Sequence, residues 1–298
     1  MEYFLHILIV ISLYTILSQS LSLTAGYSKL LSLAHAGFYG IGAYTTAILS
    51  VNYGWFFLHS LLIAIVITGF IAFIISAISI RTIDDYFIVC TLGVQIIVFS
   101  IFNNWQGFTN GPLGIPNIPD ISILGWLIDT KWEFLILSSI FTLLTWWLLH
   151  NITQSSFGKV LLALSEDEIF TTSLGKNVAK AKITSFTIGA IFASIAGVLY
   201  AHYISYIDPT SFTIDESIFI LSIVIIGGMK NMKHIFLATV FLIVLPEVLR
   251  FIGLPNSVAA NLKQIFYGAA LVIVIFLSSI SKEKSFSRKN LQNSKPNS

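Results

Sequence analysis

Long runs of apolar residues dominate the chain, at lengths suited to helices that cross a bilayer. About twenty such residues cover a hydrocarbon core of about 30 Å at a helical rise of about 1.5 Å per residue. The runs stand at about 3–25, 34–51, 56–80, 86–104, 134–150, 183–206, 217–229, 235–252 and 264–280. The pattern predicts an all-α polytopic membrane protein with about nine transmembrane helices, within a range of 8 to 10. Two runs are weak: 34–51 is rich in Gly and Ala, and 217–229 has only about thirteen residues, so both are candidates for broken or re-entrant segments. The chain opens Met1-Glu2-Tyr3, without the basic stretch of a secretory signal, so the first run is expected to be a retained span.

Composition sharpens this. Of 298 residues 56% are apolar and 10% charged, with a mean hydropathy of +0.87, against roughly 25% charged in soluble domains. A soluble single-domain enzyme is excluded. The 16 basic residues are unevenly spread: thirteen (Lys29, Arg81, Lys159, Lys176, Lys180, Lys182, Lys230, Lys233, Lys282, Lys284, Arg288, Lys289 and Lys295) share one side if the C-terminus is inside, leaving Lys131, Arg250 and Lys263 opposite. Basic loops stay cytoplasmic, which predicts a plasma-membrane protein with its N-terminus out and its C-terminus in. The membrane domain is expected over 1–280, followed by a polar, disordered cytoplasmic tail over 281–298.

Within the predicted spans the only charges are Glu247 and Arg250, three apart after Pro246 and able to neutralise each other on one helix face. Ion-coupled carriers keep several ionisable groups at mid-membrane, so a self-sufficient carrier of that kind is disfavoured. The single cysteine, Cys90, allows no intrachain disulfide and has no Cys or His cluster around it for a metal. Gly158-Lys159 and Gly175-Lys176 lack the following Ser or Thr of a phosphate-binding loop. No catalytic residue, cofactor site or metal site is expected, and no nucleic-acid partner, because the net charge is only +2 and its basic residues are dispersed. If transport is active, its energy comes from another chain.

Two loops are long enough to carry function. One, at about 105–133, holds Asn110-Gly111-Pro112-Leu113-Gly114-Ile115-Pro116, whose Gly and Pro residues exclude a regular helix. The other, at about 151–182, contains Ser165-Glu166-Asp167-Glu168, which reads as a capping box in which Ser165 accepts from the Glu168 amide. A helix over about 166–174 follows, with acids in its first turn and Gly175 as its left-handed stop. It presents Ile169, Phe170 and Leu174, which need a partner subunit or the membrane surface to cover them. The small-residue run Ala34-His35-Ala36-Gly37-Phe38-Tyr39-Gly40-Ile41-Gly42-Ala43-Tyr44 lets helices approach closely. A break there would also expose backbone able to hold a polar solute.

That run, Asp85-Tyr86-Phe87-Ile88-Val89-Cys90-Thr91-Leu92-Gly93, Asn103-Asn104-Trp105, the Gly111-Pro112-Leu113-Gly114-Ile115 turn, the 165–175 segment and Ala196-Gly197-Val198-Leu199-Tyr200-Ala201-His202-Tyr203 occur in an order that resembles the permease subunits of branched-chain amino-acid ABC importers over about 20–280. The resemblance implies an ABC importer permease fold and a translocation pathway for branched-chain or related amino acids. Its implied partners are a second homologous permease, two cytoplasmic ATPase subunits that bind the ATP, and an extracytoplasmic solute-binding protein. It makes Ser165, Glu166, Asp167, Glu168, Ile169, Phe170, Leu174 and Gly175 the ATPase-coupling segment. His35, Gly37, Gly40, Gly42, Thr91 and Gln95 become pathway candidates, and Asn110, Gly111, Pro112 and Gly114 a surface for the binding protein. Two departures stand out. Ile96 and Phe99 replace a Glu and an Arg common in the family, and Met229-Lys230-Asn231-Met232-Lys233-His234 replaces a small-residue turn after Gly227-Gly228. A urea or amide importer of the same architecture, a channel or secondary carrier, and a membrane enzyme remain the alternatives.

Overall fold

A computed structural model describes residues 2–80, 84–123, 125–251 and 268. The chain divides into two units, 1–243 and 244–298; the elements below belong to the first, except that the last helix runs on into the second. In order they are α1 (Glu2–Ser22), α2 (His35–Tyr53), α3 (Phe57–Ser79), α4 (Asp84–Asn104), α5 (Gln106–Thr109), β1 (Ile115–Pro116), β2 (Ile121–Ile123), β3 (Trp126–Ile128), α6 (Lys131–Gln154), α7 (Ser156–Glu166), α8 (Glu168–Ser173), α9 (Val178–Ile204), β4 (Tyr206–Ile207), α10 (Ile214–Ile226) and α11 (Met232–Phe251). Helix dominates, as the apolar pattern requires. Eight of the nine expected spans coincide with helices. The ninth, at 264–280, lies outside the described residues apart from Gly268, as do the tail and the side chain of Arg250. Among the described residues α1 with the π-turn that extends it, α3, α4, α6 and α9 are long and apolar enough to cross a bilayer.

The helices fall into two kinds. α3, α4 and α6 turn large side chains outward, among them Val66, Phe70, Val89, Ile97, Ile140 and Leu143, as helices facing lipid do. α1 from Thr15 to Ser22 and α2 from His35 to Tyr44 are instead buried on every side. Enclosed helices can approach only through small residues, because lipid supplies no hydrophobic drive to force them together. α2 and α9 show this best. A Cβ on Gly42 would stand 2.3 Å from the Ser194 carbonyl oxygen, and one on Gly197 2.0 Å from that of Tyr39. In the enclosed part of α1, Thr15, Ser18 and Ser20 donate to carbonyls of their own helix, so no hydroxyl there stays unsatisfied.

The two ends of the bundle differ. At one end, called here the strand side, β1 pairs antiparallel with β4 in the register Ile115↔Ile207 and β2 with β3 in the register Ile121↔Ile128. Lys131 at the start of α6 pairs with Glu2 at the start of α1 at 3.1 Å, and Thr130 forms a full capping box with Glu133. At the other end, the α8 side, α1 loosens into a π-turn over Leu23–Tyr27 and the α7–α8 pair connects α6 to α9. α7 was not foreseen in the 151–182 loop. Its Leu161 and Leu164 are fully buried beside Leu149 and Val178, and Ser155 caps it by accepting from the Gly158 amide.

Candidate functional site

Two places collect the polar chemistry of the described residues. The first lies midway through the bundle. α10 has 13 residues, about 20 Å at 1.5 Å per residue, too short to cross a core of about 30 Å. Its first turn meets the middle of α1, where the Tyr14 hydroxyl donates to Glu216, and the segment just before it meets the middle of α4, where Gln95 Nε2 donates to the Phe212 carbonyl at 2.7 Å. α2 starts at the same level. So α10 is too short to cross by itself, and its first turn meets the start of α2, where Ser217 accepts from Ala36 N–H.

A helix start leaves amides without intrahelical acceptors, and Ala34 gives α2 no side-chain cap. Neighbouring elements supply the acceptors instead. Ala36 N–H donates to Ser217 Oγ at 3.0 Å and Gly37 N–H to Gln95 Oε1 at 2.7 Å, while Leu33 N–H donates to Thr91 Oγ1 at 3.1 Å. His35 is buried with Nε2 2.8 Å from Ser20 Oγ. His35, Gly37, Thr91 and Gln95 are therefore brought together, and the backbone expected to lie open is already bonded. Gly40 and Gly42 serve packing: a Cβ on Gly40 would meet Phe102 and Phe212, part of an aromatic cluster with Tyr39, Tyr44 and Tyr200. Ile96 is exposed on the outer face of α4.

Outside the predicted spans, the structure adds a half-buried charge, Glu216, to the Glu247 and Arg250 expected within them. Asp215 and Glu216 occupy the first turn of α10. In a hydropathy reading they look like a loop before a span, but the segment from β4 brings Glu216 against Tyr14 while Asp215 stays exposed. The shortness of the 217–229 run was the only available signal.

The second place is the α7–α8 pair. The expected capping box at Ser165 is also corrected. Ser165 lies inside α7, its hydroxyl donating to the Leu162 carbonyl at 2.6 Å. Asp167 is the cap, its Oδ1 accepting from the Phe170 amide at 2.9 Å, so α8 covers Glu168–Ser173 rather than 166–174. The run Phe157, Val160, Leu161, Leu164 extends the preceding helix through Ser165, which moves the break two residues on. Gly175, at φ +73°, stops α8 as expected, its amide donating to the Thr172 carbonyl at 2.9 Å.

Six residues are too few for a helix to persist alone. α8 is held by Glu168, whose Oε2 lies 2.7 Å from Nζ of Lys182 on α9; the Lys182 side chain is 6% exposed. Beside it Lys230, in the turn after α10, donates to Ser165 Oγ at 2.7 Å. From the sequence both lysines served only for orientation, and Lys230 also as part of the bulky turn after Gly228, and neither contact was foreseen. Thr171 is buried, whereas Ile169 is 82% exposed and Phe170 and Leu174 are also exposed. An apolar surface is thus offered on a tethered helix.

At the strand side, Asn110 at φ +63° precedes the one-turn 3-10 helix Gly111–Leu113, which holds Pro112, and its Nδ2 donates to the Gly114 carbonyl at 2.7 Å. Gly114, at φ +67°, presses on β4. The turn is rigid, with Leu113 exposed at its tip.

The family described as branched-chain amino acid transport system, permease component, matches residues 3–275. The high-affinity branched-chain amino acid transport system permease proteins LivM of Salmonella typhimurium and Escherichia coli are each 34% identical to the chain, over 261 and 263 residues, or 80% of it. The chain spans 61% of the length of each. A probable branched-chain amino acid transport permease protein LivM of Methanocaldococcus jannaschii is 25% identical over 229 residues, covering 72% of the chain and 66% of the relative. No solved structure matches. With nearly its whole described length matched, and with the short α10 and the tethered surface helix lying inside that match, the chain belongs to the permease-component family of branched-chain amino acid transport systems.

Proposed function

We propose that the chain is a permease subunit of an ATP-binding-cassette importer and forms part of the translocation pathway for branched-chain or related amino acids. The observation that carries this is α8, which exposes Ile169, Phe170 and Leu174 while being anchored to α9 through a buried lysine. A helix that needs support yet keeps apolar residues in water is suited to dock into another protein. The partner here is the ATPase pair, since the chain contains no phosphate-binding loop. A second homologous permease and an extracytoplasmic binding protein complete the importer. The binding protein meets the turn of Asn110, Gly111, Pro112 and Gly114.

The α8 side is cytoplasmic in this reading. Lys29, Lys159, Lys176, Lys180, Lys182, Lys230 and Lys233 lie there, against Lys131 at the strand side, and basic residues favour the cytoplasm. The N-terminus is then outside. ATPase closure displaces α8, and the Glu168–Lys182 pair passes the displacement to α9, which is locked to α2 at Gly42 and Gly197. The mid-depth junction, with His35, Thr91, Gln95 and Glu216, is where the pathway opens alternately to either side. Gly37, Gly40 and Gly42 shape its wall. The chain has no catalytic role of its own.

The test is reconstitution in liposomes. ATP-dependent uptake of radiolabelled leucine should require this chain, the second permease, the ATPases and the binding protein together. Uptake by this chain alone would overturn the proposal. Phe170→Asp should abolish capture of the ATPases while the protein still inserts; unchanged capture would remove α8 from the interface.

A further inference from the structure

The turn after α10 is bulky and basic, Met229-Lys230-Asn231, and the structure shows what holds it. Gly227 ends α10. The next residues are gripped from two sides. On one, Ser22 Oγ donates to the Met229 carbonyl at 2.7 Å and the Tyr27 hydroxyl to the Lys230 carbonyl at 3.0 Å, and a Cβ on Gly26 would stand 2.1 Å from the Met229 oxygen. On the other, Lys230 Nζ reaches Ser165 Oγ near the end of α7, two residues before the Asp167 cap of α8. Burial lowers the pKa of the Lys230 ammonium, with Glu166 raising it and Lys29 lowering it. Lys230 is nonetheless exposed over much of its surface, as is Lys233 in the first turn of α11.

α10 is a straight run of 13 residues with no internal Gly or Pro. Its far end holds the junction: Ser217 Oγ accepts from Ala36 N–H, and Gln95 bonds both the Phe212 carbonyl just before α10 and Gly37 N–H. α10 and the turn that follows it therefore connect the surface pair α7–α8 to the start of α2, with the Lys230–Ser165 hydrogen bond at the lower end.

We propose that Lys230 is a positioning residue that latches α10 to the ATPase-docking pair, so that movement of α7–α8 shifts the mid-depth junction of α10 with α2. The inference rests on the importer reading above and adds a second line of transmission beside Glu168–Lys182. Motion at Ser165 draws on Lys230, Lys230 moves α10, and Ser217 carries the shift to the first turn of α2.

The experiment uses the complete importer in liposomes, measuring solute taken up per ATP hydrolysed and the stimulation of hydrolysis by loaded binding protein. Coupling residues of this kind change such ratios by about three- to tenfold. Lys230→Met should lower uptake per ATP by about that factor with the complex still assembled and basal hydrolysis retained. Lys230→Arg should restore most of it, and Lys233→Met should match wild type. Ser165→Ala, a milder change, should lower the ratio in the same direction, and the double variant Ser165→Ala with Lys230→Met should be no worse than Lys230→Met alone. A wild-type ratio in both Lys230→Met and Ser165→Ala overturns the latch, as do independent, multiplicative losses in the double variant. If Lys230→Met fails to assemble, the Ser165→Ala result decides alone. If wild-type protein itself shows no ATP-driven uptake, the importer reading fails instead, a different outcome from a coupled wild type with equally coupled variants.

Discussion

Replacing Gln95 by Leu tests the mid-depth junction most directly. Gln95 is fully buried and bridges the start of α2 and the segment just before α10, Oε1 accepting from Gly37 N–H at 2.7 Å and Nε2 donating to the Phe212 carbonyl at 2.7 Å. Leucine has similar bulk, so packing is largely kept, but two buried backbone groups lose their partners. Each orphaned group costs about 1–3 kcal/mol, so Gln95→Leu should destabilise the protein by about 2–6 kcal/mol. Gln95→Glu keeps an acceptor for Gly37 and, when protonated, a donor for Phe212, so it should cost less than half as much. The assay is reversible unfolding in mixed micelles with increasing SDS, comparing free energies of the three proteins. A Leu variant within about 0.5 kcal/mol of wild type, the range of a neutral substitution, would refute the bridging role and imply that both backbone groups find other partners.

Further outcomes follow from the same structure. Gly42→Ala should destabilise by about 1–3 kcal/mol, the usual cost of overpacking, whereas Gly93→Ala on α4, where a Cβ would meet nothing within 4 Å, should stabilise by about 0.5–1 kcal/mol through helix propensity; parallel SDS unfolding compares them. Asp167→Ala should fray α8 by about 1 kcal/mol, seen as faster amide exchange over 168–173, while Ser165→Ala leaves exchange there unchanged; the reverse order would return the cap to Ser165. Glu168→Gln should also loosen α8, by about 1–2 kcal/mol, less than a fully buried pair because the carboxylate is half-exposed, and amide exchange at Thr171 reads it.

Much of this protein was legible along the chain. Apolar runs, charge deficit and one-sided lysines identify a polytopic helical membrane protein, because lipid allows only self-satisfied backbone and long apolar segments. Gly175 marked the stop of α8, and the Gly and Pro residues of 110–116 marked a turn, because both depend on local backbone geometry. The depth of α10 was not legible. Hydropathy assigns Asp215 and Glu216 to a loop, and only the bonds from Tyr14 to Glu216 and from Gln95 to Phe212 show that the loop dips to mid-bundle. The cap of α8 likewise moved from Ser165 to Asp167 because burial of Leu161 and Leu164 carries α7 two residues farther than the capping pattern allows.

The sequence by itself determined the class of molecule, the number of apolar segments and the side on which its basic residues gather, since each follows from the local cost of exposing or burying a side chain. The tertiary structure alone decided which segment stops halfway, which amides Gln95 and Ser217 satisfy, and that Lys182 and Lys230 anchor α8 and α10. Those outcomes depend on groups far apart in the chain meeting within hydrogen-bond distance, a condition no local pattern encodes.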